Sequence, residues 1–167
     1  MIAYKFLRRD GTGAFTRYPW PLPDDGAAAW VEAPVVPCRS GIHACRVGDL
    51  PLWLGRELYE VELAGEIVEE RTKVVGSRAR LVRRIDAWDD AARAAYTRNC
   101  ADRAHALARA ADPPLAEWEA VVEPAIPDGP ALLGFVAARI AEERNGIAAY
   151  QAERARQVAW LTERLGF

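Results

Sequence analysis

The sequence predicts an α+β fold: a curved, mostly antiparallel sheet in the N-terminal half, packed with C-terminal helices. Strict alternation marks the clearest strand, Glu57 to Leu63, with Tyr59, Val61 and Leu63 on one face and Glu60 and Glu62 on the other. Turn-forming Gly, Pro and Asp residues punctuate the first 85 positions at short intervals. From Asp86 the apolar period becomes helical. At 167 residues the chain is expected to form a single domain, strand-rich over 1–85 and helical over 86–167, with a core that needs no staples.

Ile2 to Arg8 alternates as a first strand, ended by the turn Asp10-Gly11-Thr12-Gly13. Residues 16–37 are proline-rich and loop-like, and Tyr18, Trp20 and Trp30 within them are expected to fold down over the core. Gly41 to Cys45 suits a short strand with Ile42 and Ala44 on one face and His43 and Cys45 on the other. Asp49 to Gly55 suits a short helix, with Asp49 as its cap and Pro51 in its first turn. Gly65 marks a turn or bulge, after which Glu66 to Glu70 and Lys73 to Val75 read as a further hairpin and Arg78 to Ile85 as the closing strand.

Asp86 to Ala111 follows as a helix, with Trp88, Ala92, Ala95, Tyr96, Asn99, Arg103 and Leu107 along one stripe, stopped by Asp112-Pro113-Pro114. Leu115 to Val122 forms a short helix. Pro130 to Leu165 is helical, with Leu133, Val136, Ile140, Ile147, Val158, Leu161 and Leu165 as core positions. Unbroken, it would be about 54 Å long, against a radius of gyration of about 15 Å for a globule of this size. A break is therefore expected at Asn145-Gly146.

Composition excludes several classes. Hydrophobic residues make up 51% and charged residues 28%, which rules out wholesale disorder. A net charge of −2 gives no push toward nucleic acid or an anionic membrane. No apolar run approaches the roughly 20 residues that span a bilayer. The first residues lack an export pattern, so a cytoplasmic location is expected, where the three cysteines would be thiols. Nucleotide loops, hydrolase elbows, metalloprotease helices and dinucleotide fingerprints are missing from the sequence.

The soft chemistry is concentrated in Cys38-Arg39-Ser40-Gly41-Ile42-His43-Ala44-Cys45. Cys38, His43 and Cys45 offer three donors of the kind zinc prefers, which suffices for a catalytic site with one open position. Cys100 and His105 stand about 140° apart on one helix, so a metal could take only one of them. Alternatively, Cys38 or Cys45 is a nucleophile with His43 as its base, helped by Arg39 and Arg46. The plainer reading outweighs both: Cys45 as a small buried hydrophobe, His43 bonded to a loop carbonyl.

Glu60 and Glu62 form a carboxylate pair suited to acid–base work, although Arg78, Arg80, Arg83 and Arg84 on the closing strand favour a salt-bridged face. The same arginines match phosphate oxygens. Trp20, Trp30 and Trp53 could line a pocket for a flat ligand, or pack in the core.

The stretch from Cys38 to Cys45, then Leu50, Leu58-Tyr59-Glu60-Val61-Glu62-Leu63-Ala64-Gly65-Glu66 and Lys73-Val74-Val75 resembles an uncharacterised domain of bacterial and phage proteins. That family carries a C-x-x-G-F/I-H-A-C run followed by an E-V-E-x-x-G-E strand. The resemblance covers about residues 34–82 and implies common ancestry without an activity. The order of Ile42-His43-Ala44-Cys45, Leu50, Trp53, Leu58 to Glu62 and Gly65 also resembles the half-barrel of rifampin-type ADP-ribosyltransferases. That family grips NAD with a His-Gly-Thr on its first strand, where this chain has Tyr4-Lys5-Phe6-Leu7. The closing strand Leu81-Val82-Arg83-Arg84-Ile85 lacks the catalytic Glu of other transferases of that fold.

These readings lead to a small-ligand-binding or regulatory module with His43, Cys45, Glu60 and Glu62 as the chemical residues and Trp20, Trp30, Trp53 and Arg83 as ligand-binding ones. The alternatives are a diverged transferase using a nucleotide-type cofactor and a zinc- or thiol-dependent enzyme at Cys38, His43 and Cys45. The expected partner is a small molecule or a protein, not nucleic acid or membrane. The exposed Ala and Arg faces of the last helix offer a homodimer surface.

Overall fold

Alternation runs further along the chain than the local turn signals suggest. Two long antiparallel strands, β4 (Glu57–Glu69) and β5 (Val74–Arg84), stand where the sequence reads four shorter segments. Gly65 causes a bulge, not a reversal: its φ is +72°, and the register slips between Ala64 and Ile67. A side chain at Gly65 would run into Ser77 Oγ, which instead accepts a hydrogen bond from Glu66 N at 2.9 Å. The hairpin reverses at residues 70–73, closed by Glu70 N to Lys73 O at 2.9 Å.

The structure, a computed structural model, describes residues 1–36, 39–110, 116–125 and 129–167. Contacts divide the chain into two units, Met1–Trp88 and Asp89–Phe167. In the first, β1 (Ile2–Leu7) pairs antiparallel with β4, Ile2 opposite Glu62 and Leu7 opposite Glu57. Within the proline-rich segment β2 (Val31–Glu32) pairs with β5, because the prolines lie outside the two residues that pair. β3 (Ile42–Ala44) also pairs with β5, giving five antiparallel strands in the order β1-β4-β5-β2 with β3 off the path.

One further link joins β1 to the end of β3: Tyr4 and Cys45 exchange both backbone hydrogen bonds at 2.8 Å. The sheet is otherwise open. Ala3, Leu7, Tyr59, Val61, Leu63, Ala79 and Leu81 line its buried face with Ile42, Ala44 and Trp20. Burying such side chains contributes roughly 1.5–3 kcal/mol for each large one.

A 3-10 turn (Val47–Asp49) leads into the one-turn helix α1 (Leu50–Trp53). Asp49 makes no capping bond, since its carboxylate accepts from Arg46 Nε at 2.7 Å. Trp88 belongs to this unit and not to the helical stripe: it meets Phe6 edge-on at 6.1 Å and donates to Gly55 O at 3.0 Å.

The second unit holds α2 (Asp90–Arg109), α3 (Ala116–Ala125), α4 (Pro130–Asn145) and α5 (Ile147–Leu165). α2 begins later than its sequence pattern suggests because Asp89 caps it, accepting from Ala92 N at 2.7 Å. The stop at Asp112-Pro113-Pro114 lies outside the described residues. The break between α4 and α5 falls at Gly146, whose φ of +77° suits glycine. Leu133, Val136, Ile140, Leu161 and Leu165 are buried as expected, whereas Ile147, the first residue of α5, is 58% exposed.

A polar seam also runs through this unit. Glu153 of α5 accepts from Arg103 Nε of α2 at 3.1 Å and from Arg156 Nη2 at 2.8 Å. Gln157 donates to Gly134 O at 2.9 Å, an approach that the missing side chain of Gly134 permits. Among the described residues no helix is long and apolar enough to cross a membrane.

Candidate functional site

Cys38 lies outside the described residues, so the 38–45 segment is seen through His43 and Cys45. Cys45 is buried, and its Sγ donates to Tyr4 O at 3.3 Å. Burial, reinforced by Asp49, pushes its thiol up to about 12, so at neutral pH it lacks the thiolate that nucleophiles and metal ligands need. His43 is half-buried on β3 opposite Val75. Burial, then the ammonium groups of Lys73 and Lys5, holds its imidazole below the ordinary range. It is therefore neutral at pH 7. Among the described residues no three of His, Cys, Asp and Glu stand close enough to hold a metal ion.

The carboxylates are engaged across the strands. Glu60 accepts from Arg83 Nε at 3.0 Å and from Nη2 at 2.9 Å. Glu62 accepts from Arg80 Nε at 2.8 Å and from Nη2 at 2.7 Å. The register slip at Glu60/Val61 leaves Val82 without a partner and sets Arg83 opposite Glu60. The pairs match the salt-bridged alternative weighed from sequence, and Arg83 serves here as a partner to Glu60.

The tryptophans stand in three separate settings. Trp20 is buried in the sheet core, edge-on to Tyr18 at 5.9 Å. Trp30 carries Arg78 and Arg80 over its ring at 4.4 and 4.7 Å. Trp53 clasps the β4–β5 turn, donating to Thr72 O at 2.6 Å beside Arg46, which donates to Glu70 O at 2.8 Å. Each has its own hydrogen-bond and ring partners, and none of these is shared among the three.

Two features escaped the sequence reading. The first is Lys5. It sits between Ala3 and Leu7 on β1, opposite Tyr59, so alternation turns it to the core face. Nζ donates to His43 O at 2.7 Å and lies 4.8 Å over the Trp20 ring. Burial lowers the ammonium to about 8, and the nearby Cys45 offsets this only in part. The alternation of Ala3 and Leu7 around it was the available signal.

The second is a cleft of about 410 Å³ lined by Arg8, Arg9, Asp10 and Arg56. Pairing of β1 with β4 sets Leu7 opposite Glu57, which brings Arg8 and Arg56, the residues just beyond, together. Asp10 is occupied locally, accepting from Thr12 Oγ1 at 2.6 Å and from Thr12 N at 3.1 Å. These two bonds, with help from Arg8, hold its carboxyl below the ordinary range. Arg8, Arg9 and Arg56 thus line one cleft together with Asp10. Compared with protein-family models, with curated proteins and with solved structures, the chain matches none.

Proposed function

We propose that the strand-rich unit is a small-ligand-binding module and that its ligand is an anion of the phosphate or carboxylate type. The observation that carries this is the clustering of Arg8, Arg9 and Arg56 around one cleft of about 410 Å³. Ligand pockets typically fall between roughly 300 and 1,000 Å³. Guanidinium forks match the oxygens of phosphates and carboxylates in pairs. A binding role is favoured over the transferase reading because Glu60 and Glu62 would have to leave Arg83 and Arg80 before polarising a substrate. A cytoplasmic setting is supported by the free thiols of Cys45 and Cys100.

Titration with inorganic pyrophosphate, followed by calorimetry and by melting temperature, tests the module. Binding that weakens with added salt, and by about tenfold or more in Arg8→Gln or Arg56→Gln, is expected from losing one charge-assisted contact. No heat and no melting shift at millimolar pyrophosphate, or equal binding by both variants, would overturn the assignment.

A further inference from the structure

The turn that follows β1 sets a carboxylate into the arginine cleft. Arg8 N donates to Thr12 O at 2.9 Å and Gly11 N to Arg8 O at 3.0 Å, with Gly11 at a φ of +71° that suits glycine. Trp20 N ties the turn from a third side, donating to Gly11 O at 3.1 Å. Asp10 is therefore presented from a fixed backbone. Both of its bonds from Thr12 fall on Oδ1, so they hold the carboxylate in place and leave Oδ2 without a donor from another residue among those described. An ionised carboxylate oxygen is an acceptor only, and it needs a donor. Arg56 is held as firmly: Trp88 Nε1 donates at 3.0 Å to the carbonyl of Gly55, where a side chain would run into Phe6. A bare phosphate has five heavy atoms, and at the roughly 30 Å³ that a water takes up in the liquid it fills at most about 150 Å³. The cleft holds about 410 Å³, which leaves room for an organic group attached to the anion.

We infer that the cleft takes a hydroxylated organic phosphate, a polyol or sugar phosphate whose hydroxyl donates to Asp10 Oδ2 while Arg8, Arg9 and Arg56 take the phosphate. This rests on the anion site proposed above and adds to it the chemistry of the attached group. Lined by three guanidiniums and one carboxylate, the cleft has a positive field. That field repels a ligand whose far end is an ammonium and leaves hydroxyl as the fitting donor. Asp10 is then the residue that sets specificity. A site built to hydrogen-bond a ligand hydroxyl disfavours the analogue that lacks it, because its own polar group loses its partner. Asp10 is exposed, so water replaces that partner in part. The discrimination is therefore about tenfold, the worth of one charge-assisted bond, and not the roughly 10⁴-fold of an enclosed site.

The test sets glycerol 3-phosphate against n-propyl phosphate on the intact chain, with inorganic pyrophosphate as the reference anion. The two esters carry the same charge and the same three-carbon chain and differ by two hydroxyls. Calorimetry should show glycerol 3-phosphate bound about tenfold more tightly. Asp10→Asn keeps an oxygen for Thr12 but puts an amide N–H donor in place of Oδ2. In that variant, with an unchanged melting temperature as its fold check, the preference should fall to about threefold or less. Pyrophosphate should bind it at least as well as it binds the parent, because a negative charge has left the cleft. Equal binding of the two esters by a chain that binds pyrophosphate would overturn the inference and leave the anion site standing. A preference that Asp10→Asn does not reduce would do the same. Binding of none of the three would remove the anion site and this inference with it.

Discussion

Replacing Lys5 by methionine should change the sign of its effect on stability between pH 7 and pH 10. The amine titrates at about 8 in the folded chain, against an ordinary value of 10.5. Because the folded state disfavours the charged form, the penalty is fully present below pH 8 and fades as pH rises toward 10.5. The full difference corresponds to about 3 kcal/mol, which partial solvent contact reduces to about 2 kcal/mol. Methionine has no charge to desolvate but forfeits the hydrogen bond to His43 O, at a cost of about 1 kcal/mol. At pH 7 the variant should therefore be more stable than the parent by about 1 kcal/mol, and by pH 10, where about a quarter of the penalty remains, less stable by about 0.5 kcal/mol. The raised thiol of Cys45 and phenol of Tyr59 titrate in both proteins and cancel to first order in the difference. Urea denaturation at several pH values, read by tryptophan fluorescence, measures this, since Trp20, Trp30, Trp53 and Trp88 all lie in the strand-rich unit. A stability difference that stays flat across that range would show that Lys5 is an ordinary hydrated ammonium.

In the helical unit, Glu153→Ala removes a buried acceptor shared by Arg103, Arg156 and Gln157; both arginines keep solvent contact, so a loss of roughly 1–3 kcal/mol is expected in urea denaturation followed by far-ultraviolet circular dichroism. Burial alone would raise the Glu153 carboxyl, but hydrogen bonds from Arg156, Gln157 and Arg103 outweigh it and hold it below its ordinary 4.5. That stabilisation is present above 4.5 and should disappear as pH falls through the depressed folded value, so an acid titration of the parent and the variant should converge. In the sheet, Gly65→Ala forces a side chain onto Ser77 at a φ of +72° and should cost about 1–3 kcal/mol, lowering the urea midpoint and speeding amide exchange around the bulge.

The sequence by itself determined the α+β class, the faces of the Glu57–Leu63 strand and the helix break at Gly146. These depend on local rules: alternation, helical period and the backbone freedom of one glycine. At Gly65 a turn and a bulge stay open in the sequence, because they share the same residue preferences and only pairing across the ladder separates them. The tertiary structure decided what the candidate residues do. Glu60 and Glu62 read equally as acid–base groups or as ion pairs until β5 sets Arg83 and Arg80 beside them. Cys45 stays protonated and inert because Tyr4, 41 residues away, encloses it. Alternation places Lys5 on the core face but does not reveal its surroundings, and the arginine cleft is invisible for the same reason: burial without a counter-ion, and the meeting of Arg8 with Arg56, are properties of neighbours that sequence distance hides.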